Sequence, residues 1–423
     1  MNSIPNNIVV LGRMVLLFSI LEATSMRGYP PLCHQRTDAP QATASDPATL
    51  LAFIDSAFKT HRTEAAVAAA NDLARRFPDD SQVLTRLATV MAEHSQDERA
   101  AELFARVDLL HPHSPKVLYN LGVAEYHLKR LKDAAHALAE SADLDPGPAD
   151  THFALGLIAS ETGDQENAIL EFRHALERAP SRADWYVLLG QAYSQAAFWQ
   201  GAAEAYEHAI QLEVRGAGHY LNLGDALFRA NQVKAATEAF ERAAQLDPNL
   251  PEINYLIGYA YRTQGETDKA YEYFRRQLTL TPQHLESLAN LGAIEVERQR
   301  WNEAENDLQK VLREAPDHAE ANFALGLMYS RRGEYERAVE VLRRVLRLRP
   351  DHLKAQYELY MIYARTKQND LAQTALAEWK TLEALDREVR RELANLEHAR
   401  EARYSHSPQA SDPDEVKSVG REY

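Results

Sequence analysis

The sequence predicts an all-α solenoid, and three periodic observations predict it. Prolines fall at residues 78, 112, 146, 180, 248, 282, 316 and 350, on one 34-residue lattice whose only missing slot is filled by Val214. Glycines keep the same interval at 122, 156, 190, 224, 258, 292 and 326, and alanines at 134, 168, 202, 236, 270, 304 and 338. A fixed period of this length marks a supersecondary unit that buries its apolar face only by stacking on copies of itself.

Residues 149–182 show what one unit is. Phe153, Leu155, Leu157 and Ile158 line one helical face, and Ile169, Phe172, Ala175 and Leu176 line a second. Gly163 lies between them, where a left-handed residue ends a helix, and Gly265, Gly333 and Asn231 recur at that slot. Pro180 stops the second helix because it cannot continue the hydrogen-bond ladder. Glycine inside a helix costs ~1 kcal/mol relative to alanine, so seven in register at the slot of Gly156 imply a close helix approach, with Ala168 opposite.

This pattern resembles the tetratricopeptide repeat (TPR) family across residues 81–352. The alanine lattice holds the family's small-residue slot. Phe104, Phe172, Tyr206, Phe240 and Phe274, with Leu138, Leu308 and Leu342, hold the large slot that follows. The resemblance implies a right-handed superhelix of about ten 34-residue helix-turn-helix repeats. Eight are clear, and the ends, 47–80 and 353–386, diverge: Ile54 and Tyr360 replace the glycine, as Ala88 does in 81–114. Terminal repeats of a solenoid face solvent on one side and are atypical for that reason.

Before the array, residues 8–21 form a short apolar run interrupted by Arg13 and followed by Ala23-Thr24-Ser25. It is too short for a ~20-residue span and reads as a signal peptide ending near residue 25, or as an N-terminal anchor or misassigned start. That reading places the protein outside the cytoplasm or in the envelope; without a leader it is cytoplasmic. Residues 26–46 are rich in Pro, Ala, Ser and Thr and read as a flexible linker. The array spans 47–386. A capping helix over 387–404 is expected from Val389, Leu393 and Leu396, which continue the spacing of Leu382 and Leu385. Residues 405–423 are expected to be disordered.

The chain carries 47 Lys and Arg against 62 Asp and Glu, a formal charge of −15. That balance argues against general nucleic-acid binding, which needs clustered cations to displace counterions. The single cysteine, Cys33, excludes an intramolecular disulfide and a cysteine-based zinc site. No G-x-S-x-G, H-E-x-x-H, C-x-x-C or phosphate-loop motif occurs, so no catalytic residue, cofactor or metal centre is expected. His284, His318 and His352 lie 34 apart, one per repeat. Neighbouring helices sit ~8–10 Å apart and zinc–nitrogen bonds measure ~2.0–2.1 Å, so these are loop histidines. Val214 and its neighbouring glycines mark either a soft joint or ordinary repeat drift.

In the family this chain resembles, the first helix of each repeat lines a concave groove. Carried onto matching positions, that resemblance nominates Tyr119, Asn120, Phe153, Asn222, Tyr255, Tyr259, Asn290, Phe323 and Tyr357 as partner-binding residues. A structural reading stands beside it. Leu157, Val187 and Leu221 on the same face are read as inter-helix core, and for Tyr119, Tyr255 and Tyr259 the groove and core readings weigh equally. Asn120, Asn222 and Asn290 each stand in Asn-Leu-Gly, similar to the asparagine ladder in the TPR region of O-linked N-acetylglucosamine transferase; Ala154, Leu188, Leu256 and Ala324 interrupt it, and no transferase domain follows. Asp150, Asp184, Glu252, Glu286 and Glu320 open the first helices, where the helix dipole favours acids and an acidic rim would select a basic ligand. The fifth position never carries Lys and the ninth never Asn, so the two-carboxylate clamp of TPR co-chaperones is not expected. The expected function is a non-enzymatic scaffold that binds a protein or peptide, with no nucleic acid and no membrane span in the array, assembling an envelope-associated complex. The alternative is a regulatory or substrate-docking subunit of a separate enzyme, such as a glycosyl- or other transferase.

Overall fold

The computed structural model describes residues 46–212 and 216–405. The expected leader, the linker except Asp46 and the C-terminal tail except Ser405, together with Val214, lie outside them. Every described element is an α-helix, and the helices come in ten consecutive pairs. The first pair, α1 (Pro47–Lys59) and α2 (Thr63–Arg76), belongs to one compact unit. The other nine pairs form a second unit. They are α3 (Ser81–Glu93) with α4 (Asp97–Leu110), α5 (Pro115–His127) with α6 (Leu131–Leu144), α7 (Ala149–Thr162) with α8 (Gln165–Arg178), and α9 (Ala183–Gln195) with α10 (Trp199–Leu212). Then follow α11 (Ala217–Arg229) with α12 (Val233–Leu246), α13 (Ile253–Thr263) with α14 (Thr267–Leu280), α15 (Leu285–Glu297) with α16 (Trp301–Glu314), α17 (Ala319–Arg331) with α18 (Tyr335–Leu348), and α19 (Leu353–Arg365) with α20 (Asn369–Ser405). In the second unit each helix packs on its partner and on the next repeat, so the core is continuous rather than divided.

The glycine lattice is a packing device. A Cβ on Gly156 would lie 2.6 Å from the Phe172 ring, and one on Gly224 would lie 2.5 Å from Phe240. Gly122 and Gly292 face Leu138 and Leu308 in the same way. Each first helix that carries this glycine thus seats the large residue of its own second helix directly on its backbone. In the first unit the sizes are exchanged: Ile54 stands at the glycine slot and Ala70 at the aromatic slot, and both are buried.

Within every repeat the turn adopts the same backbone. Residues 61, 95, 129, 163, 197, 231, 265, 299, 333 and 367 all have φ between 55 and 84°. The sequence marks four of these through Gly163, Gly265, Gly333 and Asn231; the others carry His61, Ser95, Lys129, Ala197, Gln299 and Lys367 in the same left-handed conformation. Packing of the two flanking helices imposes a conformation that an L-residue enters at ~1–2 kcal/mol.

Two departures from the lattice matter for function. At repeat 7, Pro251 follows Pro248, Glu252 takes φ 62°, and α13 starts only at Ile253 with eleven residues. At the other end, α20 runs unbroken through the expected boundary at residue 386 for 37 residues, because Ala384 occupies the lattice slot of the stopping proline and no Pro or Gly lies in the helix. Its apolar stripe is not seated as a cap would be: Leu385, Val389, Leu393 and Leu396 are exposed. At its far end, Arg400 Nη1 donates to Ala197 O at 3.1 Å and Arg403 pairs with Glu166 at 2.7 Å, so the helix returns to repeats 4 and 5. No described helix is long and apolar enough to cross a membrane.

Candidate functional site: the first-helix face

The first helices leave one stripe that their second helices do not cover. Tyr119, Asn120, Phe153, Asn222, Tyr259, Asn290 and Phe323 are half-buried and Tyr357 is exposed, each one helical turn or less from a buried residue that faces the partner helix. Tyr255 differs. It is 3 % exposed, in ring contact with Phe274 at 6.0 Å and His284 at 5.1 Å, so it belongs to the inter-helix core and is corrected as a contact residue. Burial, with the charges of Tyr259 and the nearby glutamates, raises its hydroxyl far above the ordinary value.

Two aromatic groups stand along the stripe. In repeats 4 and 5, Phe153 stacks on Trp185 at 4.4 Å with planes 9° apart, Arg182 covers the outer face of that indole at 4.3 Å, and Phe172 backs Phe153 at 5.8 Å. In repeats 6 and 7, Tyr259 bridges Phe228 at 5.6 Å and Tyr255 at 5.9 Å. Further along, Phe323 lies against His352 at 4.7 Å, and Tyr357 lies against Trp379 at 5.4 Å. These rings are therefore held in place before any partner arrives, which lowers the conformational entropy lost on binding.

The three asparagines are not equivalent. Asn290 donates to Glu286 O at 2.8 Å and accepts from Arg262 Nη1 at 3.1 Å; it is already spent on its own helix and on Arg262. Arg262 is half-buried, and the lost hydration lowers its pKa; it also reaches Asn290 O at 2.9 Å. Among the described residues the Asn120 and Asn222 carboxamides make no side-chain hydrogen bond. A carboxamide offers a donor and an acceptor, the complement of a peptide group.

The acidic openings of the first helices serve the junctions. His284, His318 and His352 are N-caps: each Nδ1 accepts a backbone N–H three residues on, from Ser287 at 3.1 Å, Ala321 at 3.2 Å and Ala355 at 3.1 Å. Nε2 is then the proton-bearing nitrogen of the neutral ring, and it faces the acid of the preceding repeat, His318 to Glu286 at 3.3 Å and His284 to Glu252 at 4.0 Å. Glu320 pairs instead with Arg349 at 3.1 Å. The hydrogen bond from His318 holds Glu286 below the ordinary carboxylate value. Burial lowers His284 and His352; at His318 burial acts the same way, but the bond and charge of Glu286 outweigh it and raise the pKa. Reading these histidines as loop residues misses the cap; His at the residue before the first helix, as at 284, 318 and 352, is the sequence signal for it.

A second surface is visible only in the structure. A cleft of about 530 Å³ opens on the second-helix side of repeats 6 and 7, lined among others by Glu241, Pro248, Asn249, Asn254, Tyr273 and Arg276. Glu241 accepts from Tyr261 at 2.6 Å and Tyr273 at 3.2 Å. Pro248 and Asn249 of the junction before α13 form part of the cleft wall.

Tetratricopeptide-repeat profiles match residues 51–115, 98–150, 290–352 and 329–386, with further matches of the same repeat at 149–182, 224–265 and 251–284. No curated protein matches the chain. Among solved structures it is similar to YrrB, described as a TPR protein with an unusual peptide-binding site, at 24% identity over 44% of this chain and 96% of that one, TM-score 0.40. It is similar to the C-terminal part of a TPR protein from Cytophaga hutchinsonii at 19% identity, over 65% and 99%, TM-score 0.41. It is also similar to the Cut9–Hcn1 assembly of the APC/C at 14% identity, over 80% and 81%, TM-score 0.44. These likenesses concern the helical fold alone. With the helix pairs, the glycine–aromatic packing and the matched repeats together, the chain belongs to the tetratricopeptide repeat family.

Proposed function

We propose that this repeat protein is a non-enzymatic scaffold that captures a protein segment along its first-helix face, through Tyr119, Asn120, Phe153, Asn222, Tyr259, Phe323 and Tyr357. The observation that carries this reading is the combination of preset rings with the carboxamides of Asn120 and Asn222, which make no side-chain hydrogen bond among the described residues. Rings fixed on rigid helices bind apolar side chains at low entropic cost, and carboxamides match a peptide backbone. A basic ligand is not part of the proposal, because His284, His318 and Arg349 already face Glu252, Glu286 and Glu320. The apolar run at 8–21 and Ala23-Thr24-Ser25 support export and a role in assembling an envelope complex.

The test is photo-crosslinking in cells from single positions of the full chain. Crosslinks from Tyr259 and Tyr357 to a shared partner, lost when Asn222 and Phe153 are changed to Ala, are expected; α4 carries the control, Leu109, which is 82% exposed. Crosslinks from Leu109 with none from Tyr259 or Tyr357 reject the face. A second reading, docking onto a separate enzyme, is favoured by the cleft around Glu241 and Tyr273. It predicts crosslinks from Arg276 to that enzyme instead.

A further inference from the structure

Away from the first-helix stripe, His152 on α7 and Glu171 and His174 on α8 converge inside repeat 4. One ligand atom from each lies within 4.8 Å of the other two. His152 Nδ1 is 2.8 Å from Glu171 Oε2, its Nε2 is 3.2 Å from Pro146 O, and its ring meets His174 edge to face at 5.3 Å.

The repeat itself assigns the tautomer. At the same position of repeat 9, Asn322 Nδ2 donates to Pro316 O at 3.0 Å, and that proline likewise lies six residues earlier. A carbonyl only accepts, so Nε2 of His152 is the donor to Pro146. In the neutral ring Nδ1 then presents a lone pair to a carboxylate oxygen 2.8 Å away, and two acceptors at that distance require a cation between them. A proton would serve the pair, but it gives His174 no part.

Glu171 and His174 form a Glu-x-x-His turn. That spacing projects a carboxylate and an imidazole from one helix face toward a single ion. The Pro146 carbonyl does what outer partners of metal-bound histidines do: it takes the far N–H and fixes the ring. We propose that His152 Nδ1, Glu171 and His174 bind one divalent transition ion, with Zn2+ the best fit to two imidazoles and a carboxylate, and that the ion clamps α7 to α8. With bonds of ~2.1 Å, tetrahedral ligands stand about 3.4 Å apart. The closest pair opens slightly and the widest closes, movements available to the half-buried side chains of Glu171 and His174. Water completes the coordination. The site adjoins Phe153, so the clamp stiffens the stack of Phe153 on Trp185.

The experiment uses the full chain stripped with a chelator, then titrated with Zn2+ in a calorimeter and with Co2+ followed by visible absorption. One equivalent of Zn2+, a rise in the melting midpoint and the bands of a four-coordinate nitrogen–oxygen Co2+ site are expected. Glu171→Gln and His174→Ala should each weaken binding at least tenfold. His152→Asn should do so while remaining folded, since an asparagine there reproduces the bond that Asn322 makes. Absence of Zn2+ uptake by the wild type overturns the proposal. So does uptake that is unchanged in all three variants, which would place the ion on other histidines.

Discussion

The turn inside a repeat and the junction between repeats follow opposite rules. The inner turn has one backbone solution in all ten repeats, whether the residue is Gly163, Lys129 or Ala197. The junction has one lattice but several chemistries. Asp46 and Asp80 cap with a carboxylate, His284, His318 and His352 cap with an imidazole, and Ser114, Arg182 and Gly216 make no side-chain cap bond. The inner turn is dictated by two helices packed around a glycine–aromatic contact, so the side chain at the turn has little say. The junction is dictated by side chains, so it varies.

The largest effect should come from breaking the inner contact. In Gly224→Ile the new side chain would enter the Phe240 ring, where even a Cβ lies at 2.5 Å. A loss of about 3 kcal/mol or more is expected from overpacking, read from the denaturant midpoint of the full chain. Adding Phe240→Ala should recover part of it, copying the exchanged pair Ile54 and Ala70; a double variant no more stable than the worse single variant would deny that the two slots trade volume.

A titrating group also separates inner packing from junction. Glu295 is buried in repeat 8, with Tyr271 donating to one oxygen at 3.4 Å, and burial pushes its pKa to about 7. Its folded pKa is above the unfolded value of 4.5, so its contribution is intact below about 4.5 and lost as pH rises through about 7. Glu295→Gln should therefore stabilise by about 1–3 kcal/mol at pH 8, with the gain vanishing near pH 5. An equal gain at both pH values would mean that ionisation is not the cause.

The histidine caps should show smaller effects of opposite sign. The depressed pKa of His284 means that stability is complete above the unfolded value of 6.5 and falls as pH drops through the folded value. His318 is raised, so its contribution is complete below 6.5 and is lost as pH rises through the folded value. Asparagine keeps the cap and removes the titration. Melting midpoints between pH 5 and 8 should therefore change slope in opposite directions in His284→Asn and His318→Asn. The same direction in both would contradict the bridge to Glu286.

The fold was legible because its signals are local and repeated: Gly156 with Phe172, Pro180, and Gly163 recur often enough for the period to appear. The stripe of candidate residues was legible as positions, but not as states. Nothing in Asn-Leu-Gly distinguishes Asn290, held by Arg262 from the preceding repeat, from Asn222. Tyr255 and Tyr259 are one helical turn apart and chemically identical, yet Phe274 and His284 close over only the first. The contacts of Arg400 and Arg403 join residues 203 and 237 apart in sequence, and no periodicity encodes them. The His152 cluster escaped for another reason: its histidines fall within one repeat, while histidines at the repeat interval draw the eye.

The smallest effect tests the rule of the inner turn directly. Lys129 sits at φ 59°, where Gly163, Gly265 and Gly333 sit at 84, 82 and 78°. If packing alone imposes this conformation, Lys129→Gly relieves the strain of a Cβ in the left-handed region, at ~1–2 kcal/mol. Part of that gain returns to the unfolded chain, which glycine loosens by about 0.4–1 kcal/mol. Lys129 also pairs with Glu161 at 3.1 Å, but an exposed pair contributes little. The net expectation is a stabilisation of about 0.5 kcal/mol, read as a small upward shift of the denaturant midpoint with an unchanged slope. The reverse change, Gly333→Ala, should cost about 1 kcal/mol. If Lys129→Gly destabilised while Gly333→Ala did so equally, side chain and backbone would be matched turn by turn, and the inner turn would follow the same rule as the junction.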